Sequence, residues 1–120
     1  MSKFKIFVAL SISTIILALL VLVWISVSSL ERGRIIYESG CNMCHGPVGV
    51  GRPDLAKDLE IDQIRMDLTA TRNIKKTDAE IIEVIRKGRG RMKGFDQSRI
   101  ADKNLKALVS YIRKLQKSNK

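Results

Sequence analysis

The chain has 120 residues, with 22 Lys or Arg against 12 Asp or Glu and a formal charge of +10. That length suits one small domain carrying an appendage. The charge alone fits an acidic protein partner, anionic lipid, nucleic acid or plain solubility, and no nucleic-acid recognition motif accompanies it.

The first element is the run "IFVALSISTIILALLVLVWISVSSL", residues 6 to 30, which holds no charged residue. At about 1.5 Å per residue such a helix crosses a bilayer. A domain this small has no core able to surround a helix that is apolar on every side. Lys3 and Lys5 with Ser26, Val27 and Ser28 also give the outline of a signal peptide. The run is longer than a usual signal core, so a retained transmembrane helix is the expectation. The division expected is 1–30 as cytoplasmic stub and anchor, and 31–120 as a domain on the periplasmic or outer face. This outer domain has 20 basic and all 12 acidic residues, a formal charge of +8. Because it is expected to be exported, no nucleic acid is expected as its partner.

Beyond the anchor, residues 31–40 predict a short helix from about Gly33 towards Cys41, with Ile36 and Tyr37 inward. The stretch after His45, "GPVGVGRPDLAKD", is rich in glycine and proline and predicts a tight loop. Ile61, Ile64 and Leu68 recur at helical spacing between residues 60 and 68. Thr77 and Glu80 have the form of a capping box, with Ile81, Ile82 and Ile85 inward and Gly88 as the stop. Residues 88–97 read as irregular. The last helix carries a stripe of Leu105, Leu108, Val109, Ile112 and Leu115, with Asp102 as a candidate cap. The fold class is therefore all-α, with long loops that a domain of this size must order around something other than its own small core.

"GCNMCHG", residues 40 to 46, contains both cysteines and the single histidine of the chain. A structural zinc site normally needs four protein ligands, and these are three. A thiol redox pair would normally sit near a βαβ pattern, and none is visible. A disulfide between Cys41 and Cys44 leaves His45 unexplained. Cys-x-x-Cys-His is the attachment signature of c-type haem, in which two thiols bond the porphyrin edge and the adjacent histidine reaches the iron. One covalent haem c, with its iron, is the expected cofactor. Its apolar disk would also serve as the missing core.

With His45 used, methionine is the natural ligand for the other face of the iron. Met43 lies inside the attachment loop, and Met66 sits among apolar residues at helical spacing. Met92, between Gly90 and Gly94, is the candidate. Arg86, Lys87, Arg89, Arg91 and Lys93 surround it with no acidic residue between Glu83 and Asp96. They are the candidate docking surface for an acidic redox protein.

These features together resemble a membrane-anchored class I monohaem cytochrome c over nearly all of residues 31 to 120. Gly33, Tyr37 and Cys41 match that family's glycine, aromatic and first haem cysteine at four-residue steps. Leu108 and Tyr111 match the leucine and aromatic of its terminal helix, which crosses the first helix in the family. "GRPDL" resembles the loop whose proline carbonyl receives the histidine Nδ1 proton, which implies Pro53 against His45. "RMKGF" resembles the methionine-ligand loop, except that Lys93 stands where proline is usual. The domain has no tryptophan for the haem propionates, which leaves Arg72 as a candidate donor.

The resemblance implies a one-electron carrier, not an enzyme by itself, working as a tethered carrier or a fixed redox subunit of a membrane oxidoreductase complex in a respiratory or photosynthetic chain. A haem-based sensor with an easily displaced Met92 and a structural haem subunit are the alternatives.

Overall fold

The computed structural model describes residues 2–119, with side-chain environments from Lys3 to Asn119. Helix α1 runs unbroken from Ser2 to Gly40. Short helices α2 (Asn42–His45), α3 (Pro53–Asp58) and α4 (Thr71–Ile74) follow, with a single 3-10 turn at Gln63–Arg65. Helix α5 covers Asp78–Lys87. An antiparallel ribbon of β1 (Gly88–Arg89) and β2 (Met92–Lys93) then leads to α6 (Asp102–Ser118).

The expected short helix at Gly33 is therefore the end of the anchor helix. Nothing between Leu30 and Gly33 stops a helix, and Arg34 bridges Glu31 at 2.5 Å and Glu38 at 2.6 Å along the exposed side. The expected boundary between residues 30 and 31 falls inside α1. The first part of α1 is bare apolar surface, whereas Leu30 already packs on the domain core.

α1 crosses α6 at Gly33. A Cβ built there would lie 2.1 Å from the Ala107 carbonyl oxygen, so only glycine admits this approach. One turn on, Tyr37 is fully buried, and its ring meets that of Tyr111 at a centroid distance of 5.4 Å and a tilt of 56°. The α6 stripe of Leu105, Leu108, Val109, Ile112 and Leu115 is buried with them, joined by Ile81 and Ile85 of α5. Ile82 packs at the edge of the same core. The crossing expected from Gly33, Tyr37, Leu108 and Tyr111 is what holds the domain together.

The capping box at α5 is complete. Glu80 N donates to Thr77 Oγ1 at 3.2 Å, and Thr77 N donates to Glu80 Oε2 at 2.6 Å. Two other expectations change. Residues 60–68 form one 3-10 turn because Glu60 is left-handed (φ 53°) and Asp62 accepts from Ile64 N, which closes a local turn. Ile64 is exposed there and Met66 is buried. At α6 the cap position is Ala101, because the Asp102 carboxylate is taken by Arg86 at 2.6 Å and Gln97 at 2.9 Å.

Candidate haem site

α1 ends one residue before Cys41, and the chain turns directly into the four-residue α2 that carries Cys44 and His45. The loop is tied back at several points. Gly51 N donates to His45 O at 2.8 Å, Leu68 N to Gly49 O at 2.7 Å, and the buried Tyr37 hydroxyl to Gly46 O at 2.7 Å. Asn119, just past α6, donates to Val48 O at 2.9 Å. Residues 41 to 51 are thus fixed against α1, the 66–68 segment and the end of α6.

His45 Nδ1 lies 2.6 Å from the Met66 carbonyl oxygen. A carbonyl can only accept, so Nδ1 carries the proton and Nε2 keeps its lone pair. Burial pushes the imidazole pKa down, and the bond to Met66 opposes this less strongly. Burial prevails and leaves a neutral ring, and the bond at Nδ1 leaves Nε2 as the free nitrogen, the form that binds a metal. The expected acceptor was the Pro53 carbonyl. Pro53 opens α3, where its carbonyl belongs to that helix's own ladder, and the carbonyl at the end of the 3-10 turn serves instead. Nothing in the sequence distinguishes one backbone carbonyl from another, so Met66 could not have been picked out in that role.

Cys41 and Cys44 are half-buried free thiols on one turn, Cys41 at the cap of α2 and Cys44 within it. Burial, with Cys44 beside it, pushes the Cys41 thiol up to about 11. A redox-active thiol has the opposite shift, so thiol exchange is disfavoured. Among the described residues, no group of three or more His, Cys, Asp or Glu side chains is placed to hold a metal ion alone. Two thiols on one turn and a histidine tautomer with free Nε2 fit a covalently attached haem.

Met92 sits in β2, opposite Arg89 of β1, half-buried and packed on the core. The stretch expected to be irregular therefore begins as a ribbon. Gly88 starts it with φ 76°, and a Cβ there would lie 2.3 Å from the Met92 carbonyl oxygen. Phe95, a residue the sequence pointed to only through the "RMKGF" match, lies against Gly40. It thus connects the Met92 loop to the attachment loop. Met43 is exposed, and Arg72 donates to the Ile64 carbonyl at 3.0 Å.

The basic cluster divides. Arg89, Arg91 and Lys93 are exposed, and Lys87 is exposed while paired with Glu83 at 2.7 Å. Arg86 points inward. Its Nη1 donates to the carbonyls of Phe95, Asp96 and Ile100 at 3.0, 3.1 and 2.7 Å, so it is removed from the docking surface.

A glycine-and-aromatic crossing of the first and last helices, a Cys-x-x-Cys-His loop and a membrane-length apolar helix define a membrane-anchored c-type cytochrome of class I. Residues 28–112 match the family described as Cytochrome C oxidase, cbb3-type, subunit III. That is well over half of the chain, and the chain belongs to this family. No curated protein matches it. The protein carries a single covalent haem c, and its function is one-electron transfer from a single-pass membrane anchor. When bound, the haem would supply an iron that takes up and releases one electron; the chain supplies the attachment loop and a histidine with its Nε2 free.

Proposed function

We propose that the chain is a fixed redox subunit of a respiratory oxidase complex, in which residues 31–120 hold the haem and residues 1–30 the anchor. The observation that carries this reading is the unbroken α1, which enters the attachment loop without slack. From Leu30 to Gly40 the helix rises only about 15 Å, so the loop stays near the bilayer at a set height. A roaming carrier needs a flexible tether instead. The family's description as an oxidase subunit supports the same assembly.

In this reading Cys41 and Cys44 would form the two thioethers, and His45 Nε2 and the Met92 sulfur would be the ligands of the iron. Met66 is disfavoured as the sixth ligand because its backbone lies behind the imidazole, on the Nδ1 side. Lys3 and Lys5 keep the N-terminus cytoplasmic, with the haem domain on the periplasmic face. Arg89, Arg91 and Lys93, beside Met92, steer an acidic redox protein towards the haem edge, with Lys87 at the margin.

The test is a flexible Gly/Ser insertion of ten residues after Val27 in the full-length protein. The oxidised and reduced spectra should be unchanged, while electron delivery within the membrane complex falls by about tenfold or more. Undiminished delivery at full haem occupancy would mean a roaming carrier.

A further inference from the structure

The Met92 loop leaves α5 at Gly88 and returns at Phe95, and Arg86 sits at the junction. Its guanidinium is mostly covered, with 21% of the side chain exposed. One nitrogen reaches three carbonyls on the returning segment after β2, and the other reaches Asp102 at 2.6 Å, at the start of α6. Phe95 N donates to Ile85 O at 2.8 Å and closes the same base through the backbone. Arg86 thus joins the entrance of the loop to its exit, with Met92 between them. Lys93 follows Met92, so no ring stiffens the backbone at the ligand itself. The restraint is applied at the base of the loop.

We infer that Arg86 is a positioning residue for Met92: by closing residues 86 to 100 it holds the methionine sulfur at the iron. This rests on the reading of Met92 as sixth ligand. An arginine suits the task because one planar group can serve several acceptors at fixed angles, which a lysine ammonium cannot do as a unit. Hydrogen bonds from a charged donor are also stronger than neutral ones.

The experiment uses full-length haem-loaded protein in detergent. It follows the long-wavelength absorption of ferric iron bound to a thioether, and the pH at which alkali abolishes it. The variants are Arg86→Gln, Arg86→Lys, Met92→Ala and Arg113→Gln. Arg113 ties α6 to Asp78 at 2.8 Å and to the carbonyls of Ile74 and Lys76, away from the Met92 loop. Arg86→Gln should weaken thioether ligation about tenfold, which lowers the alkaline midpoint by about one pH unit. Arg86→Lys should fall between it and the parent, and Arg113→Gln should lower the unfolding temperature without moving the midpoint.

Equal midpoint shifts in Arg86→Gln and Arg113→Gln would reduce Arg86 to general stability and overturn the inference, as would no shift in Arg86→Gln. If the glutamine variant does not accumulate, the lysine variant decides, and a parental midpoint there overturns it. Parent protein that lacks the thioether absorption, or keeps it in Met92→Ala, would instead overturn the ligand reading itself.

Discussion

The attachment arm, residues 41 to 51, and the methionine arm, residues 88 to 102, are held in place by different means. The attachment arm is anchored by several independent bonds: backbone ones at Gly51–His45 and Leu68–Gly49, and side-chain ones from His45 to the Met66 carbonyl, from Tyr37 to Gly46 and from Asn119 to Val48. The methionine arm depends on a two-residue ribbon, one backbone bond at Phe95 and the side chain of Arg86. Ties spread over several residues survive the loss of any one, whereas a clamp made by one side chain is lost with its residue. The arm that holds the cofactor covalently is thus the stiffer one, and the arm that presents the second ligand can be adjusted by a few residues.

The largest effect should come from opposing the two arms directly. Cys41→Ser with Cys44→Ser should abolish covalent haem, read as loss of haem stain from the denatured chain. Met92→Ala should keep the stain in full while the reduced protein gains stoichiometric carbon monoxide binding. If Met92→Ala also loses the stain, the two arms do not divide attachment from ligation.

Next is a change beneath both arms. Gly33→Val forces a side chain against the Ala107 carbonyl, and α1 and α6 must separate. Overpacking of this kind costs about 3 kcal/mol, a large share of the stability of a small domain. Both arms should loosen together, with a lower unfolding temperature and a lower alkaline midpoint. A change in only one arm would show that the crossing does not support them jointly.

Gly88→Ala should act on the methionine arm alone. The backbone there is left-handed, and the added methyl meets the Met92 carbonyl, so the cost is about 2 kcal/mol. The covalent haem should remain, and thioether ligation should weaken before the domain unfolds. Ligation unchanged from the parent would separate the ribbon from Met92 binding.

The same division decides how much could be read from the sequence. Gly33, Tyr37 and Cys41 at four-residue steps, the α6 stripe and the Thr77–Glu80 box are local patterns, and each lies where its spacing requires. Cys-x-x-Cys-His carries its chemistry in side chains, so the attachment site was legible as well. The Met66 carbonyl was not, because every residue offers the same backbone acceptor. Arg86 was misread because a composition rich in arginine looks the same whether a guanidinium faces water or closes a loop. Its partner Asp102 lies 16 residues away, beyond any helical or strand spacing. The helix expected at residues 60–68 failed because Asp62 and Glu60 prefer a turn that the apolar period does not register.

The smallest effect should come from Tyr37→Phe, which tests whether the attachment arm is held as redundantly as its bonds suggest. The substitution keeps the buried ring against Tyr111 and removes only the hydroxyl that donates to Gly46 O. An acceptor left wholly unpaired in the interior would cost about 1–3 kcal/mol. Gly46 O is not wholly unpaired, because Gly49 N also reaches it at 3.3 Å, and the loop remains tied at His45, Gly49 and Gly51. The loss should therefore lie near the lower limit, about 1 kcal/mol, and lower the unfolding temperature of the haem-loaded protein by a few degrees. Haem stain and thioether absorption should stay at parental levels. A displaced ligand spectrum in Tyr37→Phe would mean that the hydroxyl orients the attachment loop and that its other ties do not suffice. The two arms would then differ in the place of their side-chain clamp, and not in whether they need one.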